Sequence, residues 1–225
     1  QRNSPVQIGT STWKAIAAGN IHSLGIRSDD TLWAWGYNYY GQLGDGTTTQ
    51  RNSPVQIGTS TWKAIAAGGS RSLGILSDDT LYAWGHNSSG QLGDGTTTQR
   101  NSPVKIGTST WKAIAAGYDH SLGIRSDNTL WAWGYNYYGQ LGDGTTTQRT
   151  SPVQIGTSTW KAIDGGLYHS LGILSDDTLY AWGLNGSGQL GDGTTTQRNS
   201  PVKIRTSTWK AIAAGNNHSL GIRGG

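Results

Sequence analysis

Four histidines, His22, His120, His169 and His218, hold one equivalent position in this chain, and Arg71 stands in that position a fifth time. A ring of imidazoles is a metal-binding arrangement. Each is followed by a serine, as in His22-Ser23, and Asp29 lies close by, so the residue types of a hydrolytic triad are also present. Neither chemistry suits the spacing. Neighbouring residues on a strand point to opposite faces, which keeps Ser23 away from His22. Arg71 adds a positive charge that repels a metal ion, and equivalent positions should spread around a central channel. The expectation is therefore structural, with each histidine bridging strands through its ring nitrogens. The loop Gly44-Asp45-Gly46-Thr47-Thr48-Thr49-Gln50 recurs at Asp94, Asp143 and Asp192. It lacks the Gly-Lys-Ser/Thr ending and following helix of a phosphate loop. One carboxylate per loop is also too few for a calcium cage. These loops, like Asp29-Asp30 and their copies, read as turns, where Asp and Asn tolerate the left-handed conformation. The sequence thus implies no cofactor, no metal site and no enzyme: no unit offers a base, a nucleophile and an oxyanion donor together.

Composition narrows the positioning elements. The 225 residues include 35 Gly, 11 Trp and 10 Tyr but no Phe, Met or Cys, with a formal net charge of +4. Without cysteine there are no disulfides, thiolate zinc sites or thiol nucleophiles. No apolar run reaches the roughly 18–20 residues of a membrane helix. The lack of an initiator Met and of a signal peptide reads as a processed or engineered product. Lys and Arg recur about once each per unit, at Lys14 and Arg51 and their copies, which dilutes charge around a ring and argues against nucleic acid. Abundant Gly with Thr, Ser and Asn favours short strands and tight turns over helices.

Repetition sets the fold. The motif T-W-K-A-I places Trp13, Trp62, Trp111, Trp160 and Trp209 at a constant spacing of 49 residues. A period of that size marks a propeller or solenoid, whose units cannot bury their apolar faces alone. Within one unit, Trp13 to Ala18, His22 to Arg27, Leu32 to Trp35 and Pro5 to Ile8 (repeated at Pro54 to Ile57) read as four strands separated by turn signals. The expected fold is an all-β propeller of four-stranded blades, with four full repeats and an incomplete fifth, forming one domain over residues 1–225. The L-x-A-W-G strand occurs four times and the other three strands five times, so a five-bladed ring would lack one strand. An open edge of that kind invites self-association. Trp35 and its equivalents should pack between neighbouring blades, where each ring buries about 150–250 Å².

The run from Ala15 to Gly46, with its glycines, histidine and W-G-x-N-x-x-G-Q-L-G pattern, resembles the repeat of the regulator-of-chromosome-condensation propellers, and the likeness extends through all five units. It looks nearest to the secreted bacterial branch, which includes a proteinaceous β-lactamase inhibitor. That resemblance implies a secreted, non-catalytic binding protein, usually a ring of seven blades. The ultraviolet-sensing members carry a G-W-R-H-T run; Gly19-Asn20-Ile21-His22-Ser23 and Gly68-Gly69-Ser70-Arg71-Ser72 lack its Trp, so photoreception is not implied.

Differences between the units fall in two segments. One is the residue pair before the histidine position, which includes Tyr118-Asp119, Tyr168 and Asn216-Asn217. The other is G-x-N-x-x-G, with Tyr37, Tyr39 and Tyr40, then His86, then Tyr135, Tyr137 and Tyr138. In a four-stranded meander both segments emerge on one face, and tyrosine is enriched in recognition surfaces. These residues are the expected contact set for a protein partner. Loop drift alone also produces variability. Odd and even units further alternate, Arg27 and Trp33 against Leu76 and Tyr82, as after duplication of a two-blade unit. Two other readings stay open: an engineered or recently amplified architectural repeat without a ligand, and a multivalent lectin with one aromatic site per blade.

Overall fold

The computed structural model describes residues 3–225; Gln1 and Arg2, at the start of the expected domain, lie outside the described residues. Fourteen strands follow one another, each hydrogen-bonded antiparallel to the next in chain order. They are β1 (Trp13–Ala18), β2 (His22–Arg27), β3 (Thr31–Gly36), β4 (Arg51–Ala67), β5 (Arg71–Leu76), β6 (Thr80–Gly85) and β7 (Arg100–Ala116). The remainder are β8 (His120–Arg125), β9 (Thr129–Gly134), β10 (Arg149–Gly165), β11 (His169–Leu174), β12 (Thr178–Gly183), β13 (Arg198–Ala214) and β14 (Ser219–Arg223). The result is a β-propeller-like repeat without a helix among the described residues.

At the joint between blades no turn separates the outer strand from the next inner one. β4, β7, β10 and β13 are each 17 residues long and run unbroken from the outer strand of one blade into the inner strand of the next. In β4, Val55 pairs with Ala34 of the first blade, while Ala64 pairs with Ile75 of the second. The bend at the joint uses a left-handed residue: Gly58, Gly107 and Gly156 have φ near +60°, and Arg205 takes the same conformation at φ 57° in the fourth joint. The S-D-D-T turns also behave as expected, with Asp30, Asp79, Asn128 and Asp177 at positive φ.

Pro5 to Ile8, expected as a strand, pairs with nothing and is not one. An outer strand here bonds only to an L-x-A-W-G strand, as Gln56 does to Trp33, and among the described residues no such strand lies beside Pro5 to Ile8. The fifth blade accordingly has two strands, the second half of β13 and β14, rather than three. β1 and β13 are not neighbours, so the inner strands trace an arc instead of a closed five-membered ring.

The apolar core lies between blades. Leu24, Ile26, Leu32, Ala34, Leu43 and Ile57 of the first blade pack against Trp62 and Trp84 of the second. Trp84, Trp133 and Trp182 are fully buried as expected. Each rests on a glycine of the preceding blade: a methyl group on Gly44 would meet the Trp84 ring 2.8 Å away. Trp35, with no described blade packed on that side, stays partly exposed. A different pair fills the alternating positions: Arg27 lies 3.3 Å over Trp33, and Arg125 lies 3.3 Å over Trp131. In the even blades Tyr82 and Tyr180 meet Trp62 and Trp160 edge-on.

Candidate interaction face

The histidine position stitches blades rather than strands within a blade. His22 Nε2 lies 2.9 Å from Ser72 Oγ of the next blade, and His120–Ser170 and His169–Ser219 repeat the contact. Each serine hydroxyl donates its own proton to a main-chain carbonyl, Ser72 to Gln42 and Ser170 to Gln140. The serine therefore accepts from the histidine, which fixes the Nε2–H tautomer. Nδ1 of all three rings is buried without a partner. Burial, aided for His22 by the Arg71 charge, lowers its pKa to about 4; for His120 burial and Arg71 lower it to about 3, and burial with His218 lowers His169 to about 4. A neutral imidazole that donates to a serine whose proton points elsewhere is not a general base for that serine.

Arg71 performs the same stitch with a guanidinium. It is fully buried, donating through Nε to Ser121 Oγ at 3.1 Å and through its terminal nitrogens to the carbonyls of Tyr118 and His120. Asp119 supplies the counter-charge, and burial holds the Arg71 pKa to about 10. Asp119 in turn accepts from Gln91 Nε2 at 3.1 Å and stands 3.9 Å from His86 Nδ1. Burial pushes the Asp119 carboxyl up, but the neighbouring His86 ring, the Arg71 charge and the Gln91 hydrogen bond outweigh it and leave it below the usual range. Arg71, His86 and Asp119 each occur once at their repeat positions, and the fold brings all three together. The co-occurrence of an unmatched Arg and an unmatched Asp in successive units was the available sequence signal for this cluster.

The G-x-N-x-x-G loops are held from within. Asn38 donates through Nδ2 to Asp45 and to the carbonyls of Thr47 and Thr49, while its Oδ1 accepts from Leu43 N–H. Asp45 also accepts from Thr47 and pairs with Arg51 at 2.7 Å. Burial raises its pKa, and the Thr47 and Arg51 hydrogen bonds more than offset that rise. The aspartates are thus turn anchors.

Fixed loops present the variable side chains. Tyr37 stacks on Tyr39 at 6.4 Å, Tyr39 meets Tyr40 edge-on at 5.1 Å, and Tyr40 lies 4.6 Å from His86 of the next blade. Two blades further on, Tyr135, Tyr137, Tyr138 and Tyr168 form a second cluster, with Tyr138 4.9 Å from Tyr168. Tyr39 and Tyr137 are the outermost, 63% and 65% exposed. Tyr118 lies against Gly69, whose N–H donates to the Tyr118 carbonyl, at the mouth of a narrow channel lined by the Ala-Gly ends of the inner strands. Asn216 also borders that channel, whereas Asn217 borders a separate cleft beside β14. The expected contact set therefore divides into two tyrosine clusters, a charged group between them, and a pair of asparagines apart on the fifth blade.

Stacked blades stitched through a His-Ser-carbonyl chain, with variable loops gathered on one side, define a propeller-type repeat protein. The regulator-of-chromosome-condensation repeat matches residues 29–75, 78–124, 127–173 and 176–222, and a second model of that repeat matches 13–42, 62–91, 111–140 and 160–189. The chain belongs to this repeat family. No curated protein matches the sequence. Among solved structures it is similar to human WBSCR16, with a TM-score of 0.88 and 22% identity over 97% of this chain and 59% of that one. It is also similar to Prp20p of Saccharomyces cerevisiae, described with its binding properties to Gsp1p and histones, with a TM-score of 0.86 and 21% identity over 97% and 58% of the two chains. A structure of Kap60 bound to yeast Prp20 gives 0.80 and 25% over 93% and 53%. The chain spans less than two thirds of the length of each.

Proposed function

We propose that residues 1–225 act as one non-catalytic interaction scaffold, whose protein partner meets the tyrosine-bearing loop side of blades one to four. The observation that carries this reading is the pair of tyrosine clusters, each anchored to rigid loops and each projecting one largely exposed ring, Tyr39 and Tyr137. Rigid aromatic anchors contribute much contact area at little entropic cost. Between them Asp119 and His86, both partly exposed above the buried Arg71, supply polar contacts that fix the orientation of a partner. The protein partners named for the yeast relative support the same class of role. The lectin reading is disfavoured because the indoles are covered, Trp84-type rings by glycines and Trp33-type rings by Arg27 and Arg125.

The test replaces Tyr39, Tyr40, Tyr137 and Tyr138 with Ser and compares the proteins captured by the two forms. Loss of specific partners from a variant with unchanged circular dichroism is the expected result. Identical captured sets refute the tyrosine face, and no retained protein with either form favours the purely architectural reading that near-identical units also suit.

A further inference from the structure

The alternation between odd and even blades makes two internal joints unlike the one between them. At the third blade the Arg125 guanidinium lies 3.3 Å over the Trp131 ring and 5.2 Å from Trp111, closing the space beside both indoles. At the second blade the same three positions hold Leu76, Tyr82 and Trp62. Leu76 is too short to reach over the phenol, and a slot of about 410 Å³ lies there, walled on the first-blade side by Ile57 and the Asp45 turn. The fourth blade repeats it, with Leu174, Tyr180 and Trp160 around a slot of about 390 Å³. Tyr82 and Trp62 meet edge-on at 5.9 Å, so a flat group stacked on Tyr82 meets the indole at an angle that aromatic rings favour.

In the even blades the positive charge stands beside this slot instead of inside it. Lys105 pairs across the ladder with Tyr82 and Lys203 with Tyr180, so each lysine projects from the face that carries the slot. In the odd blades that position is neutral, Gln56 opposite Trp33 and Gln154 opposite Trp131. Both lysines are exposed and, among the described residues, join no ion pair, whereas Lys14, Lys63 and Lys161 pair with aspartates. The carboxylates nearby are already engaged: Asp45 in the slot wall pairs with Arg51, and Asp78 accepts from Thr80.

We propose that the two slots are binding sites for a small planar aromatic carboxylate, one at each even blade. The ring lies over Tyr82 or Tyr180, against Leu76 or Leu174, and the carboxylate accepts from the Lys105 or Lys203 ammonium. A cationic ligand meets repulsion from that lysine, and an aliphatic acid forgoes the stacking. The joint at the third blade stays closed because its own arginine fills it, so the stoichiometry is two per chain. The slots share no residue with the tyrosine clusters, so the proposal does not depend on them.

The probe is indole-3-acetate, titrated into the whole chain by calorimetry and followed through the indole N–H resonances of Trp62 and Trp160. Saturable binding at two equivalent sites is expected, with the neutral indole-3-acetamide weaker by about three- to fivefold, the weight of one exposed ion pair. Leu76→Arg with Leu174→Arg should abolish binding, and Lys105→Gln with Lys203→Gln should bring the acid down to the affinity of the amide. Each substitution copies a residue that another unit already holds at that position, so both variants keep the fold, as unchanged circular dichroism verifies. Absence of saturable binding, equal affinity for acid and amide in the parent chain, or undiminished binding by the double-arginine variant overturns the proposal. Tighter binding of tryptamine than of the acid overturns it in favour of a cationic ligand.

Discussion

Acidification should unfold this protein well before its carboxylates titrate. His22, His120 and His169 are buried and neutral in the fold, with pKa values of about 4, 3 and 4 against 6.5 in the unfolded chain. Depressed values of this kind give stability that is complete above pH 6.5 and is lost as pH falls toward 4, because only the unfolded chain takes up protons there. Between pH 7 and pH 5 each histidine removes about 2 kcal/mol, so the three together remove about 5 to 6 kcal/mol. That is comparable to the whole folding free energy of many domains, on the order of 5–15 kcal/mol. Asp164 acts in the opposite sense: burial raises its pKa, so its contribution improves on acidification. The assay is urea unfolding followed by tryptophan fluorescence at pH 7 and pH 5, in an Asp164→Asn background that removes the opposing group. A His120→Gln substitution should lessen the pH dependence by about a third. A midpoint that does not move between pH 7 and pH 5, or a His120→Gln variant as pH-sensitive as its parent, refutes the assignment of neutral buried imidazoles.

Three further substitutions probe the joints. Gly93→Ala places a methyl 2.8 Å from the Trp133 ring at a residue with φ 84°, and should cost about 2 kcal/mol or more by thermal unfolding. Arg205→Gly relieves a left-handed non-glycine residue at the fourth joint and should stabilise by roughly 1 kcal/mol, read from the urea midpoint. Arg125→Leu combined with Trp131→Tyr converts an odd blade to the even pattern; a double-mutant cycle should give a coupling of about 0.5–1 kcal/mol from the lost guanidinium–indole stack.

Much of this architecture was legible because the repeat is so regular. His22 to Arg27 and Trp13 to Ala18 coincide with β2 and β1, and the interblade place of the Trp35-type rings follows from a core without Phe or Met. The joint is hard to read for a physical reason: G-T-S-T has turn residues, yet one positive-φ residue bends the backbone without ending the strand. Pro5 to Ile8 shares its sequence with a true strand and differs only in lacking a partner, which no local pattern encodes. At the candidate face, the proximity of Tyr40 to His86 and of Tyr138 to Tyr168 follows from two variable loops sharing one side. The proximity of Arg71 to Asp119 is hidden in the sequence, because nothing local shows that the arginine in the histidine position is buried. A fully buried guanidinium demands a counter-charge, and that requirement pointed to the next unit.

The unbroken strands that join the blades make the molecule's length adjustable. No loop intervenes at a joint, so the angle between successive blades is set by a single covalent ribbon with one left-handed residue. The stacks that distinguish odd from even units lie inside a blade, as Arg27 lies over Trp33 and Trp13, and three joints share one His-Ser stitch. A gene exchange out of register by 49 codons would therefore lengthen or shorten the arc by one blade while the covalent joint keeps its form.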